Sequence, residues 1–198
     1  MKDEIDTRRQ RNLDRVRALV ATYTSLRGAG QGRRNVQQSD VLRAAVVFLH
    51  ATLEDFLRSL QQWKLPLAGE DSLNNVALTG QQGRPERFLL GKLAGFRGKT
   101  VEELINLSVT EHLGRSTYNN ASEIAAALTG VGVNPQLVNQ YFPALDSLMK
   151  RRHNIVHRAD ENVAIGRGHF RAMTISVAAV NDWVAVTDAF TRDVLNHL

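Results

Sequence analysis

"SDVLRAAVVFLHATLEDFLRSLQQWKLP", residues 39–66, decides the fold. Leu42, Val46, Leu49, Leu53, Phe56, Leu60 and Trp63 follow one another at alternating spacings of four and three. That spacing puts all of them on one side of an α-helix, whereas a strand would alternate with period two. Ser39 stands where an N-cap belongs, and Pro66 stops the helix because proline disfavours helical backbone in the residue before it. The stripe is an apolar face for a bundle core or for a dimer seam.

The same period recurs on either side. From about Ile5 to Leu26, the residues Leu13, Val16, Val20 and Tyr23 form one helical face, and "GAGQG" ends it. Residues 66–84 are loop-like, and Pro85 opens a short helix reaching Leu93. "TVEELINLSVTEHL" starts with a capping box, Thr100 to Glu103, and turns Val101, Leu104, Ile105 and Leu113 inward. Asn120 or Ser122 caps a short helix that Gly130 and Gly132 break, and Asn134-Pro135 marks a further start. Pro143 opens a helix with Leu145, Leu148 and Met149 as its apolar side. "ENVAIGRGHFRAM", residues 161–173, reads as a turn or short hairpin. The last helix carries Ile175, Ala179, Trp183, Val186, Phe190 and Val194. The expectation is an all-α fold, one domain over 1–198, with two long core helices and several short ones.

Composition narrows the class. The chain has 198 residues, enough for one sizeable core, and 43% of them are hydrophobic, which argues against disorder. It has no cysteine, which suits a reducing cytoplasm and removes any thiolate zinc site. The opening "MKDEIDTRRQRNLDRV" is charged with no apolar run behind it, unlike a secretory signal, and no stretch is long and apolar enough to span a bilayer. We therefore expect a soluble, cytoplasmic protein with no membrane partner. The net charge of +5 tilts the partners toward polyanions.

That charge concentrates in two places: Arg8, Arg9, Arg11, Arg15 and Arg17 near the start, and "MKRRHNIVHRAD" at 149–160. The first reads as a solvated helix face, or as an extension of an RNA track. The second places Arg152 and His157 five steps of 100° apart on a helix, about 140°, so they do not share a face. Either the helix bends or ends near His157, or the two act across an interface. His153 and His157 lie one turn apart. As a zinc site they would supply two ligands amid opposing cations, without the glutamate of HExxH, so a metal is not expected. Phosphoryl chemistry on RNA suits the set better. Metal-free cleavage needs a base for the 2′-hydroxyl, a cation over the phosphate and an acid for the leaving oxygen. Histidine does the proton work, and arginine offers a permanently charged fork.

An Arg followed by a polar residue, a short spacer ending in an apolar pair, and then His resembles the motif of the HEPN ribonuclease family. Here it reads Arg152, His153, Asn154-Ile155-Val156, His157. The continuation "VHRAD" is similar to the RiboL-PSP group of that family, as are "VVFLHATLEDFLRSL" and "STYNNASEI…GVNP" more loosely. The resemblance implies a HEPN-like helical bundle, a homodimer with its two motifs at the interface, and metal-independent endoribonuclease activity leaving a 2′,3′-cyclic phosphate. It implies a toxin or phage-defence effector or an RNA-processing module, no cofactor, and RNA as substrate. Arg152 takes the phosphate-stabilising role, His157 acts as base or acid, and His153 sits at the assisting position where asparagine is more familiar. Asn154, Glu54 and Asp160 are supporting candidates, and Lys150, Arg151 and Arg158 are candidate RNA-phosphate contacts. Ile155 and Val156 should anchor the helix in the core.

The alternative is a non-catalytic helical module that binds RNA or a protein partner, and a third reading pairs the chain with a nucleotidyltransferase-type antitoxin. His50, His112, His169 and His197 read as structural, and Trp63 and Trp183 as core. "GAGQG" lacks the Gly-Lys-Ser/Thr of a phosphate-binding loop.

Overall fold

The computed structural model describes residues 1–27, 36–80, 90–161 and 172–198. Among these, the regular elements are helices, with one isolated antiparallel bridge between Glu161 and Ala172. The fold is all-α. In chain order the α-helices are α1 (Lys2–Arg27), α2 (Val36–Lys64), α3 (Glu70–Leu73), α4 (Val101–Arg115), α5 (Ala121–Gly130), α6 (Phe142–Arg158) and α7 (Val177–Asn196). Short 3₁₀ segments cover Leu65–Leu67, Leu90–Phe96 and Pro135–Tyr141.

The α2 stripe organises the molecule. Leu42, Val46, Leu49, Leu53, Phe56 and Leu60 are each at most 1% exposed. Burying each of them contributes about 1.5–3 kcal/mol relative to exposure. The first half of the stripe packs with Leu13, Val16, Val20 and Tyr23 of α1, with Leu148 and Ile155 of α6, and with Val180 and Val184 of α7. The second half packs with Tyr118, Ile124, Leu128, Leu145, Met149, Phe190 and Val194. The early part of α2 thus meets the late part of α6, and the two run antiparallel.

Local rules hold at several helix starts. The Thr100–Glu103 capping box forms reciprocally, and Asn120, rather than Ser122, accepts from the Glu123 amide at 2.9 Å. Asn134 caps the 3₁₀ turn that begins at Pro135, and Pro143 lies in the first turn of α6. Gly132 adopts φ +82°, a left-handed conformation in which an L side chain is strained.

Other expectations are corrected. Ser39 is not an N-cap: α2 begins at Val36 and encloses Ser39 as a buried residue. Val101, at the exposed first turn of α4, is 76% exposed instead of inward. Trp63 and Trp183 are half-buried at cluster edges, and Lys64 Nζ lies 4.1 Å from the Trp63 ring centroid. On α7 the buried stripe is Val180, Val184, Thr187, Phe190 and Val194, one residue on from Ala179, Trp183 and Val186. Among the described residues α1 runs over 26 residues, α2 over 29 and α7 over 20. "GAGQG", the start at Pro85 and the interior of 162–171 lie outside the described residues.

The amino-terminal arginines are largely paired. Arg9 is buried and bonds Asp6 and Asp188, with Nη1 at 2.5 Å from Asp188 Oδ1. Arg8 meets Asp55 at 3.1 Å, Arg17 meets Asp14 and Asp188, and Arg15 lies over the Phe48 ring. These side chains join α1 to α2 and α7. Among the described residues, no helix is long and apolar enough to cross a membrane.

Candidate active site

Residues 149–160 form the last turns of α6 and the turn that ends it. The helix is unbroken through Arg158, so no bend brings Arg152 round to His157. It closes with two consecutive left-handed residues, Ala159 at φ 48° and Asp160 at φ 59°. The amides of both donate to the Asn154 carbonyl, which satisfies one of the helix's orphan acceptors.

This turn drives Asp160 into the interior, where it is 0% exposed. Its Oδ2 accepts from Arg43 Nε at 2.8 Å and from Arg151 Nη2 at 2.7 Å. The same arginines also donate to the Met173 carbonyl, and Arg151 donates to the Thr174 carbonyl as well. Met173 in turn donates its amide to the Asp160 carbonyl at 2.7 Å. Asp160 is therefore a structural counter-charge at the foot of 161–172, and it makes no approach to Arg152 or His157 as a hydrogen-bond partner. Arg151, expected as a phosphate contact, is turned inward and committed to that carboxylate.

Arg152 is the opposite case. It is half-buried, and it forms no hydrogen bond or ion pair with any described residue. Its Nε is buried without a partner. A buried guanidinium N–H without an acceptor, which Arg151 Nε shares, is costly, and an oxyanion is a group that completes it.

His153 and His157 are both exposed, with ring centroids 4.7 Å apart and planes tilted by 44°. Two imidazoles so placed can divide base and acid work on one substrate. Ile155 packs into the core as expected, but Val156 does not: it is 49% exposed, on the surface between Arg152 and the histidines. Asn154 is half-buried and serves the helix end through its carbonyl, and Lys150 and Arg158 are exposed.

Glu54, on α2, has 22% of its side chain exposed and faces His50 Nδ1 across 4.0 Å. His50 is buried, with Nε2 3.2 Å from the Tyr118 carbonyl. Burial pushes the His50 pKa down and Glu54 opposes the shift, while the charge of Arg152 adds to it. The structure thus brings together His50 and Glu54, and separately His153 and His157, and it forms no hydrogen bond or ion pair between Arg152 and Glu54. Sequence reading missed the pairing of His50 with Glu54. Their i,i+4 spacing, off the apolar stripe, was the available signal.

No protein-family model, curated protein or solved structure matches this chain. The functional reading therefore rests on its own residues.

Proposed function

We propose that the protein is a metal-independent endoribonuclease of the HEPN type, acting as a toxin or phage-defence effector. One observation carries the reading. Among the described residues Arg152 has no hydrogen-bond or ion-pair partner, on the helix that also carries a pair of exposed imidazoles, while its neighbour Arg151 is locked to Asp160.

An imidazole, that of His157, takes the proton of a 2′-hydroxyl, and the oxygen attacks the adjacent phosphorus. The bond to the 5′-oxygen breaks, a protonated imidazole returns a proton to that oxygen, and a 2′,3′-cyclic phosphate remains. Arg152 holds the charge that builds on the phosphate oxygens. His153 assists from the neighbouring turn. Within one chain the helix carries Arg152 and His157 about 140° apart. The reading therefore requires a homodimer, in which Arg152 of one protomer and His157 of its partner approach one phosphate. Val156, exposed between them, supports an apolar seam at that place.

The test is incubation of RNA with the full chain in EDTA. Cleavage to 2′,3′-cyclic ends, lost in both Arg152→Ala and His157→Ala, is the expected result. Cleavage retained in either variant overturns the assignment. RNA binding without cleavage by the unaltered chain favours the non-catalytic module.

A further inference from the structure

His153 and His157 share one face of α6, and the fold fixes the distance between them. The helix is unbroken from Phe142 to Arg158, and Ile155, between the two, packs into the core, so the pair is kept outward. The ring centroids lie 4.7 Å apart, both side chains are exposed, and neither forms a hydrogen bond or ion pair with a described residue. Two imidazoles so held are the arms of a chelate. An ion about 2.1 Å from a ring nitrogen sits about 3.2 Å from the centre of that ring. Two centres 4.7 Å apart then subtend about 95° at the ion.

That angle is close to the right angle between neighbouring ligands of a tetragonal site, the geometry of Cu2+ and Ni2+ with nitrogen ligands. Charge alone keeps cations away from these turns: Lys150 and Arg158 are exposed, and Arg152 directly precedes His153. An ion is held here by coordinate bonds to nitrogen, which select late transition metals over Mg2+ and Ca2+, ions that want oxygen ligands. Among the described residues no third histidine or carboxylate completes a metal cluster. Water fills the remaining positions, so the site is a reversible one and not a resident zinc centre.

We propose that His153 and His157 form a reversible chelating site for a late divalent transition metal, Ni2+ or Cu2+, and that its occupation stops the proton transfer assigned to the same rings. A ring nitrogen bound to the ion has given its lone pair to the metal and cannot take a proton from a 2′-hydroxyl. The inhibitory half rests on the ribonuclease reading; the chelate does not. The enzyme needs no metal and is silenced by one.

The experiment is a calorimetric titration of the full chain with Ni2+, with Mg2+ as the comparison ion. Ni2+ should bind at the pair and Mg2+ should not. His153→Gln and His157→Gln should each weaken Ni2+ binding by about a hundredfold, because joining two weak contacts raises affinity by about 10²–10⁴. A further variant, His157→Gln with Arg158→His, keeps two histidines but sets them about 140° apart on the helix, and it should bind as weakly as the single variants. Ni2+ affinity that is unchanged in any of the three variants overturns the proposal, as does equal binding of Mg2+. Where RNA is cut, the rate should fall by about tenfold or more at saturating Ni2+, with the midpoint of binding, and should return on addition of EDTA. Cleavage untouched by saturating Ni2+ overturns the inhibitory half. Ni2+ binding with no cleavage under any condition overturns the ribonuclease reading and leaves the chelate standing.

Discussion

Arg151 donates to Asp160 Oδ2 at 2.7 Å, and Asp160 lies 0% exposed nine residues further along the chain. Arg43 reaches the same oxygen from α2, so one buried carboxylate is shared by two guanidinium groups. Removing one member of such a buried set leaves the others charged and unpaired. Asp160→Ala should therefore destabilise the protein by about 3–5 kcal/mol in urea unfolding. Arg152→Ala, which breaks no hydrogen bond among the described residues, should change stability by less than about 1 kcal/mol. Equal losses in the two variants would contradict this division of roles.

Ala159 follows α6 in a left-handed conformation, φ 48°, where a Cβ is strained. Ala159→Gly relieves that strain and should raise stability by about 0.5–1 kcal/mol despite the greater freedom it gives the unfolded chain. A thermal melt with an unchanged or lowered Tm would show that the turn is not strained at this residue.

Acid should weaken the fold through two buried or half-buried histidines. His50 and His112 both have pKa values below the ordinary 6.5, each chiefly through burial. Between their folded values and 6.5 the unfolded chain binds more protons than the folded one, so stability present above 6.5 falls as pH drops below it. Urea midpoints should be lower at pH 5.5 than at pH 7.5, and the difference should shrink in His50→Gln. Identical midpoints at the two pH values would exclude this linkage.

Glu111 is half-buried at the surface, and its pKa is held at about 2. The Thr79 hydroxyl donates to it at 2.6 Å, the Gly80 amide at 2.7 Å and Arg115 at 2.7 Å. A carboxyl NMR titration should find that low midpoint, and Thr79→Val should raise it, because the hydroxyl is the largest cause. A midpoint near 4.5 in the unaltered chain would mean that the contacts are not populated in solution.

Much of the fold was legible because it depends on neighbours in sequence. The α2 stripe, the Thr100–Glu103 box and the Asn120 cap are local patterns, and all three formed. Ser39 misled because Val36, Gln37 and Gln38 carry the helix upstream of it. The α7 stripe slipped by one residue because Thr187 and Thr191 count as polar in sequence. In the helix, Thr191 returns its hydroxyl to the Thr187 carbonyl at 2.7 Å and is buried. The candidate site was legible in its residue types and not in their commitments. Nothing in "RR" distinguishes Arg151 from Arg152; the distinction comes from a left-handed turn eight residues on and from Arg43, more than a hundred residues away in sequence.

The Asp160 clamp also has a use in protein engineering. Arg43 and Arg151 hold Asp160 together with the Met173 backbone, and the Glu161–Ala172 bridge closes just inside that grip. Glu161 and Ala172 are thus held side by side. Two ends fixed in this way can be joined by a longer flexible connection at about 0.6 kcal/mol per doubling of its length. That makes Glu161 and Ala172 natural anchors for a grafted reporter domain, with α6 and α7 kept in place.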